Sequence, residues 1–359
     1  MPSGPASPPI TAPLSGNTNP INVDAGPLGK IYVGGVVSGL GFNQSHHVPG
    51  DTEWRGDVSN AQVFVQKTDG MFQFYVQAGA YSLPSLGASY LKSNKIMDAT
   101  YDAIPIAYAK LQLTPEISIL AGKLPTLIGA EYTFTFQNPN IERGLLWNQE
   151  TAISRGVQAN YAKGPLTISI SWNDGFYSDR YTTGSALISY VFTPKDTLAL
   201  VGDAQFKKTS YSSFATPYFQ NNGQIYNAIW THTDGPLTVI PYFQYTHVPA
   251  APEVGITHDA NTISGAILGK YSFTPTFSIA ARGEYISSSD GGGTTNLLYG
   301  PGSKAWSATI TPTYQLGIYF MRAEFSYTQL NDFAPGAGFG PAGMNKGQAR
   351  GLLETGVLF

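Results

Sequence analysis

Apolar and polar residues alternate with a period of two along most of this chain. In Val58–Lys67, Ala61, Val63 and Val65 alternate with Gln62, Phe64 and Gln66. In Leu166–Asn173, Leu166, Ile168, Ile170 and Trp172 alternate with Thr167, Ser169, Ser171 and Asn173. Ser303–Tyr314 repeats the pattern, with Trp306, Ala308 and Ile310 set against Ser307, Thr309 and Thr311. Successive side chains of a strand point to opposite faces, so such segments are strands with one apolar and one polar face. No segment carries a convincing helical stripe.

Turn residues divide these segments into hairpins. Short connections fall at Asp69-Gly70, Thr114-Pro115, Gly164-Pro165, Thr193-Pro194, Asp234-Gly235-Pro236, Thr274-Pro275 and Leu316-Gly317. Pro presets φ and Gly permits positive φ, which is what a tight reversal requires. Long polar segments lie between the hairpins, near 43–57, 81–102, 125–151, 174–183, 208–223, 247–258, 288–302 and 330–345. Strict alternation of short turns and long loops predicts about sixteen strands, to within two because Ala103–Thr114 and Arg155–Tyr161 alternate weakly. They lie near 30–42, 58–67, 71–80, 103–113, 116–124, 152–162, 165–173, 184–193, 196–207, 224–232, 237–246, 259–273, 276–287, 303–314, 318–329 and 346–359. Both ends of the array then fall on the short-turn side.

Composition decides what kind of sheet this is. Of 359 residues, 12% are charged and 13% aromatic. The charge content is about half of the ~25% usual in globular proteins, so a soluble sandwich or propeller would have trouble covering its surface. No apolar run reaches the ~18 residues of a membrane helix. The expected fold is therefore all-β: a transmembrane antiparallel up-and-down β-barrel, half of whose strand residues face lipid. Aromatics near the strand ends (Tyr161, Trp172, Tyr190, Phe192, Trp230, Phe273, Tyr314 and Phe359) are expected to form interfacial girdles. Cysteine is absent, which excludes disulfides and thiol chemistry, and a net charge of −3 gives no basis for binding nucleic acid.

The domain division follows. Residues 1–29 begin with a Pro-, Ser- and Gly-rich run and read as a flexible N-terminal segment, with an export signal already removed. Residues 30–359 read as the barrel. Apolar residues at alternate positions, Leu353 and Val357, interrupted by Thr355, lead to Phe359, which resembles the terminal strand of bacterial outer-membrane barrels.

Three segments carry a resemblance: Leu120–Glu131 (LAGKLPTLIGAE), Arg155–Tyr161 (RGVQANY) and Trp172–Phe176 (WNDGF). With them the chain resembles the OmpL-like β-barrel porin family over roughly residues 58–180. The resemblance implies a bacterial outer-membrane location and a pore. It brings no assigned functional residues.

A barrel of this size leaves a lumen wide enough for water, so function turns on what narrows and charges it. Strand charges on the polar face are candidate pore-lining residues: Lys110, Asp203, Lys207, Lys270, Arg282, Glu284, Arg322, Glu324, Arg350 and Glu354. A cation facing the bilayer midplane would cost about 2–4 kcal/mol, which supports the inward assignment. Arg322 should stand level with Glu354, and Glu324 diagonal to Arg350, as cross-strand pairs. Such a ladder either orients solutes or holds the register. The longest loop, 125–151, carries Glu131, Tyr132, Phe134, Phe136, Glu142, Arg143 and Trp147, and is expected to fold inward as a constriction.

Other chemistry is weak. His46 and His47 are adjacent and point apart in extended chain, so no metal site is expected. His247 and His258 lie at opposite ends of one loop with no nucleophile fixed beside them. The run Gly336–Gly343 lacks the Lys-Ser/Thr ending of a phosphate loop. No cofactor and no catalytic residue is expected. The reading is an outer-membrane porin allowing passive diffusion of small hydrophilic solutes. The alternative is a substrate-selective channel for sugars, organic acids or hydrophobic molecules, with an outer-membrane enzyme a distant third. The expected partners are outer-membrane lipid and the solutes themselves. The sequence leaves open whether the barrel is a homo-oligomer.

Overall fold

The computed structural model describes residues 14, 16, 20–289 and 298–359. The expected flexible N-terminal segment therefore lies outside the described residues up to residue 19, apart from Leu14 and Gly16, as do residues 290–297 of the loop expected at 288–302.

Among the described residues, seventeen strands form one antiparallel sheet. In chain order they are β1 (Ile21–Asp24), β2 (Lys30–Gln44), β3 (Trp54–Lys67), β4 (Phe72–Tyr81), β5 (Ile106–Gln112), β6 (Ile117–Pro125), β7 (Ile153–Lys163), β8 (Leu166–Asn173), β9 (Thr183–Thr193), β10 (Asp196–Gln205), β11 (Gln224–Asp234), β12 (Leu237–Val248), β13 (Ala260–Ser272), β14 (Phe277–Ser288), β15 (Lys304–Leu316), β16 (Tyr319–Asp332) and β17 (Gly347–Leu358). Each of β2 to β16 pairs with its successor, and β17 pairs back onto β2, with Leu358 opposite Val36 and Arg350 opposite Gln44. Sixteen strands thus close into a barrel, and closure satisfies every backbone group that lipid could not. All sixteen match the alternation in the sequence, and their ends differ from the expected limits by a few residues. One of these differences moves a candidate: β10 ends at Gln205, because the chain leaves the sheet where the Phe206 ring packs over Gly184. Lys207 therefore sits exposed in the following loop rather than on a strand.

Among the described residues, one strand and one α-helix have no counterpart in the alternation. Strand β1 pairs with the first turn-side residues of β2, Asp24 opposite Lys30 and Ile21 opposite Val33, just beyond the point where β17 stops. Four residues are too few to show a period. A short helix, α1 (Ser93–Ala99), lies in the loop after β4. Its first residue donates from its backbone N–H and its hydroxyl to Asp57 of β3.

The outer face is apolar, with Ile170, Ile188, Leu200, Phe243, Ile267, Ile310, Phe325 and Leu353 all exposed. Aromatic pairs mark its turn-side border, where the rings of Tyr190 and Phe192 lie 4.8 Å apart and those of Tyr271 and Phe273 4.7 Å. Trp172 and Tyr181, and Trp306 and Tyr327, mark the loop-side border. Phe359 differs from the other expected girdle residues: its ring lies over Gly35, where a Cβ would come within 2.7 Å of it.

That contact makes Gly35 a test of closure. Gly35→Leu is expected to lower stability by about 1–3 kcal/mol through overpacking at the β2–β17 seam. Gly283→Ala, on the lipid face with no atom near the added carbon, should stay within about 0.5 kcal/mol of the parent. Urea titration of the detergent-folded barrel, read by its heat-modifiable gel mobility, compares the two. Equal midpoints would show that the seam is not tightly packed.

Candidate functional site: the lumen and its folded-in loop

The lumen does not hold polar side chains alone. Strands β10 to β14 turn Val201, Ile225, Ile229, Ile240, Leu268 and Ile286 inward, and all are buried. Leu127, Ile128, Leu145 and Leu146 of the segment 125–151 pack on them as a hydrophobic core inside the barrel. On the other side of the segment, the Phe134 ring lies 5.2 Å from Tyr81 and the Phe136 ring 5.4 Å from Phe64. The segment is thus held across the lumen by apolar packing against two opposing parts of the wall. Leu14 joins the second cluster, and its N–H donates to the carbonyl of Phe136 at 3.2 Å.

The charged ladder holds the backbone of the same segment. Glu324 accepts from the N–H groups of Ile141 at 2.5 Å and Glu142 at 2.9 Å, and from the Thr311 hydroxyl at 2.6 Å. Arg282 donates to Glu131 at 2.6 Å, to the carbonyl of Glu142 at 2.8 Å and to Glu284 at 3.1 Å. Glu131 accepts in turn from the N–H of Gly144 at 2.8 Å, and Glu284 from that of Leu146 at 3.3 Å. Arg322 is opposite Glu354 in register and pairs with it through Nε at 3.1 Å and through Nη2. Its other Nη donates to the carbonyl of Asn138 at 2.9 Å, while Glu354 accepts from the hydroxyl of Thr135 at 2.8 Å. Every one of these charged groups is buried. A buried charge is tolerated when it is paired and its remaining valences are hydrogen-bonded, and the peptide groups of the segment supply those bonds.

The expected diagonal pair of Glu324 with Arg350 does not form. The register sets Glu324 opposite Leu352 and Arg350 opposite Ser326, and both side chains turn inward to loops instead. Arg350 donates to Glu142 at 2.7 Å and to the carbonyls of Ser85 and Ala88 in the loop after β4, each at 2.7 Å. Among the remaining candidates, Asp203 is buried and accepts from Ser185 at 2.7 Å, and Lys110 and Lys270 are half-buried on their strands. Tyr132 donates its N–H to Asn138 at 2.7 Å.

Glu150 and Arg143 are unlike the rest. Glu150 closes the segment, buried, and one of its oxygens accepts from the Tyr242 hydroxyl while Oε2 has no partner. Burial pushes its carboxyl up to about 8, only partly offset by the Tyr242 hydrogen bond. Arg143 lies 5.4 Å from the ring of Trp147, and none of its guanidinium nitrogens has a hydrogen-bond partner. Burial lowers it to about 10. Two glycines let the segment approach the ladder: a Cβ on Gly144 would lie 2.0 Å from Glu284, and one on Gly129 1.8 Å from Glu150. The polar partners Thr135, Asn138 and Ser85 have no periodic signature. Their only forewarning in the sequence is the length of the loops that carry them.

Comparison with known proteins now has a geometry to meet. The profile of the family described as Putative beta-barrel porin-2, OmpL-like, matches residues 30–359. The chain belongs to this family. Solved structures agree at the level of fold. OmpT of Vibrio cholerae superposes with a TM-score of 0.61 at 12% identity, covering 95% of this chain and 100% of its own. The outer-membrane channel DcaP of Acinetobacter baumannii gives 0.60 at 12% identity, covering 92% and 97%. OpdK of Pseudomonas aeruginosa gives 0.51 at 11% identity, covering 92% and 98%. No curated protein matches the chain by sequence. This OmpL-like barrel is therefore an outer-membrane protein of porin architecture.

Two outcomes are expected from the anchoring. Trypsin should leave the folded parent uncut after Arg143 and should nick Glu324→Ala there, because two loop N–H groups lose their acceptor. A parent cut as fast as the variant would show the segment to be loosely held. Glu150 retains a proton in the folded chain that an unfolded chain, near its ordinary 4.5, has released. Its contribution to stability is therefore full below about 4.5 and falls as pH rises to about 8. Urea midpoints at pH 5 and pH 9 should differ less in Glu150→Gln than in the parent. Equal differences would mean that Glu150 is ionised throughout.

Proposed function

We propose that this protein is a passive outer-membrane channel for small solutes, with the segment 125–151 as its constriction. The observation that carries this is the anchoring of that segment across the lumen, by Leu127, Ile128, Leu145 and Leu146 on β10–β14 and by Phe134 and Phe136 on Tyr81 and Phe64 of the β3–β4 wall, while Glu324, Arg282 and Arg322 hold its backbone to β14–β16 between them. Sixteen strands alone would enclose a wide aqueous pore. The segment fills much of that width, and the ladder charges it meets are buried rather than bathed in water. Of the two channel readings, a narrow substrate-selective channel therefore fits better than a wide diffusion pore for hydrophilic solutes. Selectivity in such a channel depends on bore and lining rather than on energy coupling. Arg282, Arg322 and Arg350 are each neutralised by a carboxylate within hydrogen-bond reach, so we assign the ladder the task of holding the constriction and give it no direct contact with solute. We assign no catalytic role.

Planar-bilayer recordings test this. The parent should show a small single-channel conductance, and a variant with residues 132–140 replaced by a short Gly-Ser link should show one several-fold larger. Equal conductance would remove the segment from the role of constriction. A silent parent and a silent variant would sink the channel reading itself.

A further inference from the structure

Strand β1 pairs with β2 as far as Val33. Just beyond, Phe359 takes the same edge: its N–H donates to the carbonyl of Gly35 at 2.9 Å, and the N–H of Gly35 donates to its carbonyl at 2.8 Å. The wall therefore has no free edge for the chain before β1. Leu14 lies inside the barrel instead. It is buried in the cluster that also holds Val36, Phe320 and Leu358, apolar residues toward the turn-side ends of β2, β16 and β17. Its N–H donates to the carbonyl of Phe136 in the segment 125–151 at 3.2 Å. Lys270, Ala280, Thr313 and Arg322 of β13–β16, with Asn138 and Pro139 of the segment, leave a void of only about 10 Å3 beside it, room for about one water. Lys270, Ala280 and Thr313 stand within a few residues of their short turns, so Leu14 meets the constriction from the turn side.

The sequence suits this place. No charged residue precedes Asp24, so the chain enters a poorly solvated lumen without leaving an unpaired charge there. Leu14 and Ile21 are seven residues apart, a reach of up to about 25 Å, which joins the rim of the wall to the constriction. We propose that the turn-side face of the constriction is a docking surface for the chain's own N-terminal arm, that Leu14 is the anchor, and that the docked arm narrows the pore from that side. Burying one leucine side chain favours the docked arm over a released one by about ten- to a hundredfold, before the ordering of the arm is subtracted. The contact is therefore strong enough to be populated and weak enough for one substitution to break it. The narrowing rests on the channel reading above; the docking does not.

The chain has no cysteine, so a single introduced thiol reports on the arm. Leu14→Cys and Val23→Cys, the second at an exposed position, are labelled with a charged maleimide in the detergent-folded barrel. Leu14→Cys should react about tenfold more slowly, because labelling must wait for the arm to open, and the two rates should converge in urea. Equal rates in the folded barrel overturn the docking. In planar bilayers, a chain lacking residues 1–19 should conduct roughly twice as well as the parent, since a wider bore passes more current. Leu14→Asp, which puts a charge on the apolar seat, should match the deletion, and Leu14→Met should match the parent. All these changes lie outside the sixteen strands of the barrel, and heat-modifiable mobility verifies that the variants fold. Conductance unchanged by both the deletion and Leu14→Asp overturns the narrowing. A synthetic peptide of residues 5–20, added to the turn side of the deletion channel, should lower its current again. Equal block by the same peptide carrying Leu14→Asp overturns Leu14 as the anchor. A protected thiol with parent and deletion both silent overturns the channel reading and upholds the docking, and an open channel with a freely reactive thiol overturns the docking alone.

Discussion

Closing a sheet into a barrel solves the backbone problem at the membrane and creates another inside it. Sixteen strands enclose more space than their inward side chains can fill, and charges placed there must be paired or left wet. Here the ladder Arg282, Glu284, Arg322, Glu324, Arg350 and Glu354 is paired largely with peptide groups of the chain itself. Glu324 takes two successive N–H groups, Arg282 and Arg322 each take a carbonyl, and Arg350 takes two from a second loop. The position of the segment 125–151, and with it the shape of the lumen, depends on this exchange between side-chain charges on the wall and backbone dipoles in the loop.

The exchange works in both directions. Removing one member of a buried pair costs about 3–5 kcal/mol because its partner stays charged in a poorly solvated place. The loop therefore holds the ladder in its ionised geometry as much as the ladder holds the loop. Apolar packing contributes direction rather than specificity. Leu127, Ile128, Leu145 and Leu146 pull the segment toward strands β10–β14, and Phe134 and Phe136 pull it toward β2–β4. Hydrophobic contact alone would tolerate several registers of such a segment. Hydrogen bonds to fixed carboxylates and guanidinium groups admit one.

Glycine sets how close the two can come. Gly129 and Gly144 are where the loop backbone meets Glu150 and Glu284, and a side chain at either would collide with a carboxylate. The same economy recurs at the seam, where Gly35 leaves room for the ring of Phe359. At these places a missing Cβ lets backbone and charge, or backbone and ring, reach contact distance.

Much of the fold was legible in the sequence because it is local and periodic. Alternation at period two identifies a strand such as Leu166–Asn173 without knowledge of its neighbour, and the turn chemistry at Gly164-Pro165 or Asp234-Gly235 identifies which strands are adjacent. The level of Arg322 with Glu354 follows by counting from a short turn. Strand β1 and helix α1 are too short to carry a period, and Lys207 lies where a strand's end is decided by a ring packing on Gly184. Inward apolar residues such as Ile229, Leu268 and Ile286 look unremarkable in a sequence whose barrel interior is expected to be polar, because they have meaning only against the loop that covers them. The partners of Glu324 and Arg350 were decided by tertiary structure alone. A carboxylate's hydrogen bond to the backbone of Ile141, 183 residues away, leaves no mark on local sequence, since every residue but proline offers the same N–H.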